Sequence, residues 1–300
     1  MKNYYELVDA NKFKSNLVIV GFIAFITISA YFIGYALGYG LDFVGFALIF
    51  SGLASFASYY YSDRIVLSLS NAKPAKRSEY FDYYTVTENL SLVAHIPKPA
   101  LYVIEDTALN AFATGRDPKH AALVATTGIL AKLNRTELEG VIGHELSHVK
   151  NYDIRLMGIV TILIGVVTLL ADYLLRFSFY GGRRRDRDET GQLQAVFMVV
   201  GLVLALLSPL IAQLIQLAIS RRREFLADAS SATLTKYPEG LASALEKLAA
   251  DKEPLEAANK ATAHLYIVNP LKNRHDAIGW FAGLFNTHPP IAERIKALRS

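Results

Sequence analysis

The residues best suited to chemistry form a His-Glu-x-x-His segment, made by His144, Glu145 and His148. Residues four apart share one face of a helix, so both imidazoles can reach a single metal ion. A catalytic zinc ion takes three protein ligands, keeps one open position and lowers the pKa of a bound water to near neutrality. Glu145 lies one position round the helix, where it could take a proton from that water as the water attacks a peptide carbonyl. The segment therefore predicts a zinc-dependent hydrolase, although a surface helix with two solvated histidines would carry the same letters.

Glu224 and Asp228 are the candidates for completing such a site. The chain contains no cysteine, so a metal must be held by histidine or carboxylate side chains. Glu224 could complete a His-His-Glu ligand set, and Asp228, four residues on, could accept the second ring N–H of a histidine ligand. The same spacing also fits an exposed helix whose acids pair with the neighbouring arginines. The two residues alone do not separate these interpretations.

The elements that must position these residues are predicted from local patterns. An apolar face runs along the helix that carries the two histidines, and this helix begins near Asn134. Asn134 itself and the Thr136-x-x-Glu139 spacing are two alternative N-terminal caps. The elements predicted before it are a short helix near Thr85–Ala94, a strand at Leu101–Ile104, a turn or loop at Asn110–Arg116 and a β-favouring stretch at Ala121–Thr127. With a mostly helical block at 220–300, the chain is predicted to be mostly α with a small β-sheet.

Four long apolar runs interrupt the polar blocks. They are Leu17–Leu37, Phe43–Tyr61, Leu156–Leu175 and Leu193–Ile219. About 20 apolar residues in a helix can cross a hydrocarbon core of roughly 30 Å, so the runs predict a multi-pass membrane protein with two transmembrane hairpins. Helices buried in the core of a soluble protein are the alternative. The predicted division is a first hairpin at 1–61, the first part of a cytosolic protease domain at 62–155, a second hairpin with an Arg-rich loop at 156–219, and the second part of the domain at 220–300.

Lysine and arginine placement predicts the orientation in the membrane. Basic residues precede the first run and follow the second, while the turn between these runs has none. The positive-inside rule then places both polar blocks in the cytoplasm. The Arg-rich loop between the third and fourth runs opposes this rule. Either the first hairpin fixes the topology and the loop is tolerated outside, or the second hairpin does not fully cross the membrane. The net charge of +4 gives no indication of a nucleic-acid partner, and the expected partners are the lipid bilayer and protein substrates.

Four motifs in order resemble the HtpX family of membrane-bound zinc metallopeptidases. They are Asn110–Gly115, His144-Glu145-x-x-His148, Glu224-x-x-Ala227-Asp228, and Thr287-His288-Pro289-Pro290-Ile291 followed by Arg294-Ile295. The resemblance covers nearly the whole chain and implies a zincin-type, gluzincin-like catalytic domain with one zinc ion. It implies that His144, His148 and Glu224 bind the zinc and that Glu145 is the catalytic base. It also implies a cell-membrane endopeptidase that cleaves membrane or misfolded membrane-associated proteins on the cytosolic side, in membrane protein quality control.

Two residues near the C-terminus carry alternative interpretations. The family's His-Pro pair implies that His288 lies near the zinc and stabilises the oxyanion. Alternatively, His288 precedes the prolines that start a helix, where proline is well accommodated. Arg294 could orient an active-site carboxylate, or it could form an ion pair at the surface.

The stretch Ala121–Thr127 also suggests how a substrate could bind. A peptide can add a strand to an exposed sheet edge, and this stretch ends shortly before the predicted zinc helix. An ordinary sheet strand is the simpler interpretation, and the two are compatible. The predicted substrate-binding residues are Asn110, Ala121, Val124 and Thr126.

Two other functions remain as alternatives at this stage. A prenyl-protein protease would be a related enzyme, but such enzymes have more spans than the four predicted here. A catalytically silent membrane scaffold would belong to a different class. The intact set of His144, His148, Glu224 and Glu145 argues against the scaffold, because sequence drift would be expected to break such a set.

Overall fold

Helices dominate the structure, a computed structural model that describes residues 4–36, 42–180, 198–199, 221–251, 253, 265–267 and 289–300. The helices are α1 (Tyr4–Ala36), α2 (Asp42–Tyr60), α3 (Ser62–Leu69), α4 (Phe81–Ala94), α5 (Thr127–Lys132), α6 (Arg135–Lys150), α7 (Asp153–Tyr180), α8 (Arg221–Thr235), α9 (Pro238–Ala250) and α10 (Ile291–Leu298). The strands are β1 (Lys73–Pro74), β2 (Ala100–Ile104), β3 (Ala111–Gly115) and β4 (Ala121–Thr126). The prediction of a mostly helical fold with a small β-sheet is confirmed.

The four strands form one mixed sheet in the order β1-β2-β4-β3. β4 runs parallel to β2 and antiparallel to β3, and all of its side chains are buried. Apolar side chains of α4, α6 and α9 pack with β4 in one core. Its fully buried members include Leu123, Val141, Ile142, Leu146, Leu241 and Leu245. The sheet and these helices therefore fix the position of α6, which carries His144 and His148.

The segment predicted to be a turn or loop at 110–116 is instead the outer strand β3. Its alanines and glycine are poor strand formers, so propensity did not indicate a strand. Ala113 packs in a small cluster with Val149 of α6 and Ile154 of α7. Small side chains let these two helices approach the strand closely, and the packing outweighs the weak local preference.

The helix α6 starts at an Asn134 cap. Asn134 Oδ1 accepts a hydrogen bond from the backbone N–H of Glu137 at 3.0 Å, and Glu137 Oε2 accepts one from the backbone N–H of Asn134 at 2.8 Å. Of the two caps that the sequence allowed, the structure uses Asn134. From α9, Lys247 and Ser243 each donate to the Glu137 carboxylate at 2.7 Å. One carboxylate thus caps α6 and joins it to α9.

Glu137→Gln is expected to lower the free energy of unfolding by about 1.5–3 kcal/mol at neutral pH, the usual range for hydrogen bonds to a charged group. Burial would raise the pKa of Glu137, but the contacts with Lys247, Ser243 and Asn134 outweigh it and hold that pKa below its ordinary value of 4.5. The added stability is therefore present above the ordinary pKa and is lost as the pH falls through the folded-state value. The difference between the thermal unfolding midpoints of the two proteins should be largest at pH 7 and should shrink as the pH falls below 4.5. A difference that stays constant over this range would contradict the proposed role of the Glu137 carboxylate.

Three long helices pack together beside the sheet domain. Phe22 of α1 joins Ile159, Leu163 and Val167 of α7 in a buried cluster, and residues of α2 pack against it. Among the described residues, Val8–Ser29 of α1 is long and apolar enough to cross a membrane. The α2–α3 pair, bent by 82° after Tyr60, is a second candidate if it counts as one span. The prediction of four crossings is thus not established, since most of its fourth run and its Arg-rich loop lie outside the described residues.

The outer faces of α1 and α2 expose large apolar side chains. They include Phe13, Leu17, Val20, Phe46, Ile49 and Leu53. Each of these is more than half exposed, whereas soluble monomers rarely present contiguous apolar surface of this extent. These faces are suited to contact with lipid.

Candidate metal centre

The helix α6 places His144 and His148 on one buried face. Their rings meet edge to face, with centroids 4.8 Å apart. The two Nε2 atoms are 3.2 Å apart and point toward the same position. Two imidazole nitrogens so close together suit a shared metal ion, as the spacing in the sequence predicted.

Glu224 of α8 faces the same two nitrogens and is fully buried. Its Oε2 lies 3.6 Å from His144 Nε2, and its Oε1 lies 3.5 Å from His148 Nε2. In a tetrahedral zinc site, ligand atoms at about 2.0–2.1 Å from the ion are roughly 3.4 Å from one another. The three side chains therefore fit a zinc ion in both donor chemistry and spacing, and together they could hold a metal.

Each histidine also has a carboxylate on its second ring nitrogen. His144 Nδ1 is 2.9 Å from Asp228 Oδ1, and His148 Nδ1 is 3.0 Å from Asp153 Oδ2. A carboxylate can only accept, so each Nδ1–H donates, and each Nε2 is left with its lone pair toward the metal position. The structure thus brings Asp228 to the place that the sequence suggested, and it adds Asp153.

The carboxylates control the electrostatics of the imidazoles. Burial and the charge of Arg294 would lower the pKa of His144, but contacts with Asp228 and Glu224 outweigh them and raise it to about 9. Burial would likewise lower the pKa of His148, and Asp153 and Glu224 raise it. A metal ion at this centre must therefore displace a proton that the surrounding acids favour.

Arg294 of α10 is fully buried and binds Asp228 through two hydrogen bonds. Its Nε donates to Oδ2 at 2.9 Å, and its second terminal nitrogen donates to Oδ1 at 2.6 Å. Burial would raise the pKa of Asp228, but the bonds from His144 and Arg294 lower it to about 2. Of the two interpretations of Arg294, the structure favours the orientation of an active-site carboxylate over a surface ion pair.

Asp153 is the residue that the sequence analysis missed. It is the first residue of α7 and follows Tyr152, whose positive φ of 61° changes the direction of the chain after the end of α6. Beyond His148, it accepts hydrogen bonds from Arg223 and Asn11, each at 2.7 Å. A signal was available: an acidic residue just past the end of the histidine helix can fold back onto the second histidine. Helical spacing could not show this, because Asp153 lies on another helix.

Two glycines on α6 permit its close contact with the helices that follow. A Cβ at Gly143 would lie 2.8 Å from Ser231 Oγ of α8, and a Cβ at Gly140 would lie 2.6 Å from the backbone nitrogen of Leu241 in α9. Ser231 also donates to the Gly140 carbonyl at 2.6 Å. The absence of a side chain at Gly143, beside His144, lets α8 pack there, and α8 is the helix that carries Glu224.

Glu145 is buried on α6, next to the two histidines. Burial and the negative charge of Glu145 raise the pKa of Tyr83 well above its ordinary value. The carboxylate is therefore shielded from bulk water. His288 lies outside the described residues, and its predicted position near the metal stays a prediction.

The predicted substrate contacts on β4 need correction. β4 has β2 on one side and β3 on the other, so it has no free edge to which a peptide could add. Ala121, Val124 and Thr126 are buried, and the Thr126 hydroxyl donates to Ala108 at 2.6 Å. Asn110 is also buried, beside Thr126. The stretch is an ordinary interior strand, whereas β3 is an outer strand of the described sheet and contacts α6.

Comparison with known proteins gives consistent matches along the chain. The sequence model of peptidase family M48 matches residues 82–300. The chain is 44% identical to a protease HtpX homolog of Dictyoglomus thermophilum, covering 99% of this chain and 94% of that protein. A protease HtpX homolog of Thermoanaerobacter pseudethanolicus is 43% identical, with 100% and 98% covered. The crystal structure of S. mikatae Ste24p matches 98% of this chain and 66% of its own, at 20% identity and a TM-score of 0.47. The relatives confirm the resemblance that the four motifs predicted.

Proposed function

The chain belongs to peptidase family M48, and from this membership we propose a zinc endopeptidase whose ion is held by His144, His148 and Glu224. That the protein is a metalloprotease follows from the family and from its full-length relatives, which removes the silent scaffold considered above. The observation that carries the proposed ligand set is a buried cluster in which the two imidazole Nε2 atoms lie 3.2 Å apart and a different Glu224 oxygen lies 3.5–3.6 Å from each of them. One zinc ion per chain is expected.

The side chains divide the work in this proposal. Zinc, when bound, would act as a Lewis acid that lowers the pKa of a water and polarises the substrate carbonyl. Glu145 takes the proton of the attacking water and passes it to the leaving amine. Asp228 and Asp153 hold the two imidazoles in the tautomer that presents Nε2. Arg294 supplies the counter-charge of Asp228 in this buried site. Its two hydrogen bonds hold the Asp228 carboxylate in position next to His144.

Metal content and peptidase activity of the detergent-purified protein test the proposal together. Chelation should reduce cleavage of an unfolded protein substrate to background, and about one equivalent of zinc per chain should restore it. Atomic emission on the protein as purified should give a zinc-to-chain ratio near one. Full activity in a protein stripped of metal would overturn the proposal, since the proposed mechanism takes its electrophile from the metal.

We further propose that the protein is a multi-pass cell-membrane protein whose active site faces the cytoplasm and whose substrates are membrane or misfolded membrane-associated proteins. The exposed apolar faces of α1 and α2 support membrane insertion. The basic residues beside the first two apolar runs support this orientation. The blocks 62–155 and 220–300 both contribute to the metal centre, so they must lie on one side of the membrane.

Reporter fusions test the orientation. A fusion after Lys98 is expected to report a cytoplasmic location, because this residue belongs to the first block of the protease domain. A cysteine placed at Gly182 in this cysteine-free chain is expected to react with a membrane-impermeant thiol reagent on intact cells, if the second hairpin crosses fully. An external location for Lys98 would reverse the proposed orientation. Labelling of position 182 only after the membrane is opened would show that the second hairpin does not cross the membrane.

A further inference from the structure

We propose that Asn11 of α1 is a positioning residue for the metal ligand His148 and acts through Asp153. This inference rests on the proposed role of His148 in zinc binding. It makes the affinity of the metal centre depend on a side chain of the N-terminal apolar helix, 137 residues before the ligand that it positions.

The amide of Asn11 uses one nitrogen to hold two acceptors. Asn11 Nδ2 donates to Asp153 Oδ1 at 2.7 Å and to the backbone carbonyl of Asn151 at 2.8 Å. Both acceptors are oxygens, so the NH₂ group must face them, and the carbonyl end of the amide would be repelled. Asn151 caps the C-terminus of α6, and Asp153 begins α7. Asn11 therefore fixes the junction that follows His148.

Asp153 passes this constraint to the histidine. Its Oδ1 accepts from Asn11 and from Arg223 NH1, each at 2.7 Å, while its Oδ2 faces His148 Nδ1 at 3.0 Å. Two donors on one oxygen hold the carboxylate in the plane in which its other oxygen can accept the imidazole N–H. Arg223 alone would leave the carboxylate free to rotate toward α8. Partners of this kind typically change metal affinity by about 10- to 100-fold when they are removed.

The position of Asn11 indicates a specific role. It lies within Val8–Ser29, the segment of α1 long and apolar enough to cross a membrane, yet its side chain is 4% exposed and faces protein. A buried polar side chain is costly unless it is hydrogen-bonded, so the burial of Asn11 depends on the contacts that it makes. General attachment of α1 needs no amide here, since Phe22 and its apolar neighbours already pack α1 against α7.

The test compares substitutions at Asn11 in the full-length protein in detergent. Asn11→Ala removes both hydrogen bonds of the Asn11 amide. It is expected to weaken zinc binding about 10-fold, measured by competition with a fluorescent chelator. Asn11→Asp keeps the shape but sets a carboxylate against Asp153 and the Asn151 carbonyl, so a larger loss is expected. Ser15→Ala is the matched control, because buried Ser15 lies one turn further along α1 and donates within the helix to the Asn11 carbonyl. It should bind zinc as the unmodified protein does.

Two further measurements separate positioning from general stability. Cobalt substituted for zinc should show altered visible absorption in Asn11→Ala, because the ligand geometry changes; a merely structural bond would leave that spectrum unchanged. In an Asp153→Ala background, Asn11→Ala should cause no further loss of zinc affinity, since the two residues act in series. If the alanine variant does not fold, Asn11→Ser, which keeps one short donor, allows the same comparison.

The outcomes distinguish this inference from the proposed function. Unchanged zinc affinity and an unchanged cobalt spectrum in the Asn11 variants, in a protein whose zinc still requires His148, would overturn the role of Asn11 alone. Full zinc occupancy in His148→Ala would overturn the ligand set itself, whatever the Asn11 variants show. A parallel weakening in Asn11→Ala and Asn11→Asp, absent from Ser15→Ala, supports the inference.

Discussion

Glu145→Gln is expected to lose about 10²- to 10⁴-fold of the peptidase activity while keeping its full complement of zinc. Glutamine has nearly the shape of glutamate but cannot accept the proton of the attacking water. Glu145 is buried beside the ligands and is not one of the three donor atoms that meet at the centre. Its replacement should therefore reduce turnover and leave the metal in place.

Activity and atomic emission on the same preparation measure this effect. Glu139→Gln is the matched control, since Glu139 lies on the same helix and pairs with Arg135 away from the histidines. The control should retain both activity and zinc. Loss of zinc from Glu145→Gln would make Glu145 a ligand, and near-normal activity with full zinc would remove it as the base.

Glu224→Ala is expected to lose most of the zinc and, with it, the activity. The carboxylate provides the only oxygen donor in the group of three described ligands, and two imidazoles alone make an incomplete site. The substitution also removes the negative charge of Glu224, whose Oε2 lies 3.8 Å from the guanidinium of Arg294. Loss of this negative charge should further weaken the binding of a cation.

Asp228→Asn tests a residue that orients a metal ligand, for comparison with Glu224, which is proposed to bind the metal itself. Asp228 touches His144 Nδ1 rather than the metal position, so the substitution should weaken zinc binding by about 10- to 100-fold without abolishing it. Glu246→Ala, at an exposed residue paired with Arg299, serves as the unaffected control. Full zinc in Glu224→Ala at ordinary zinc concentrations would exclude Glu224 from the ligands.

Local patterns predicted the parts of the site that lie on one helix. The four-residue spacing of His144 and His148 and the apolar face around them required α6, and α6 is where the structure has them. Asn134 was one of two suggested caps, and only the packing of Glu137 against α9 decided between them. The strand at β2 and the interior strand β4 were also indicated, because their apolar residues are β-favouring.

Contacts between distant segments could not be predicted in this way. Glu224 stands 76 residues after His148, and its own spacing fitted an exposed helix equally well. Family resemblance, rather than residue chemistry, selected it as a ligand. Asp153 and Asn11 have no mutual spacing that a periodic pattern could detect. The strand β3 was missed for a related reason, since its small residues are explained by the helices that cover it.

The buried pair of Arg294 and Asp228 has a consequence for the time at which the enzyme becomes complete during synthesis. Arg294 is made 146 residues after His148, which at 5–20 residues per second is an interval on the order of ten seconds. For the last 66 residues of that interval, from Asp228 to Arg294, Asp228 lacks its counter-charge, and α10 has yet to pack against the domain. The charge arrangement around His144 is finished only after Arg294 has been made. Translation order thus leaves the surroundings of the histidine pair incomplete until the segment that carries Arg294 has been made.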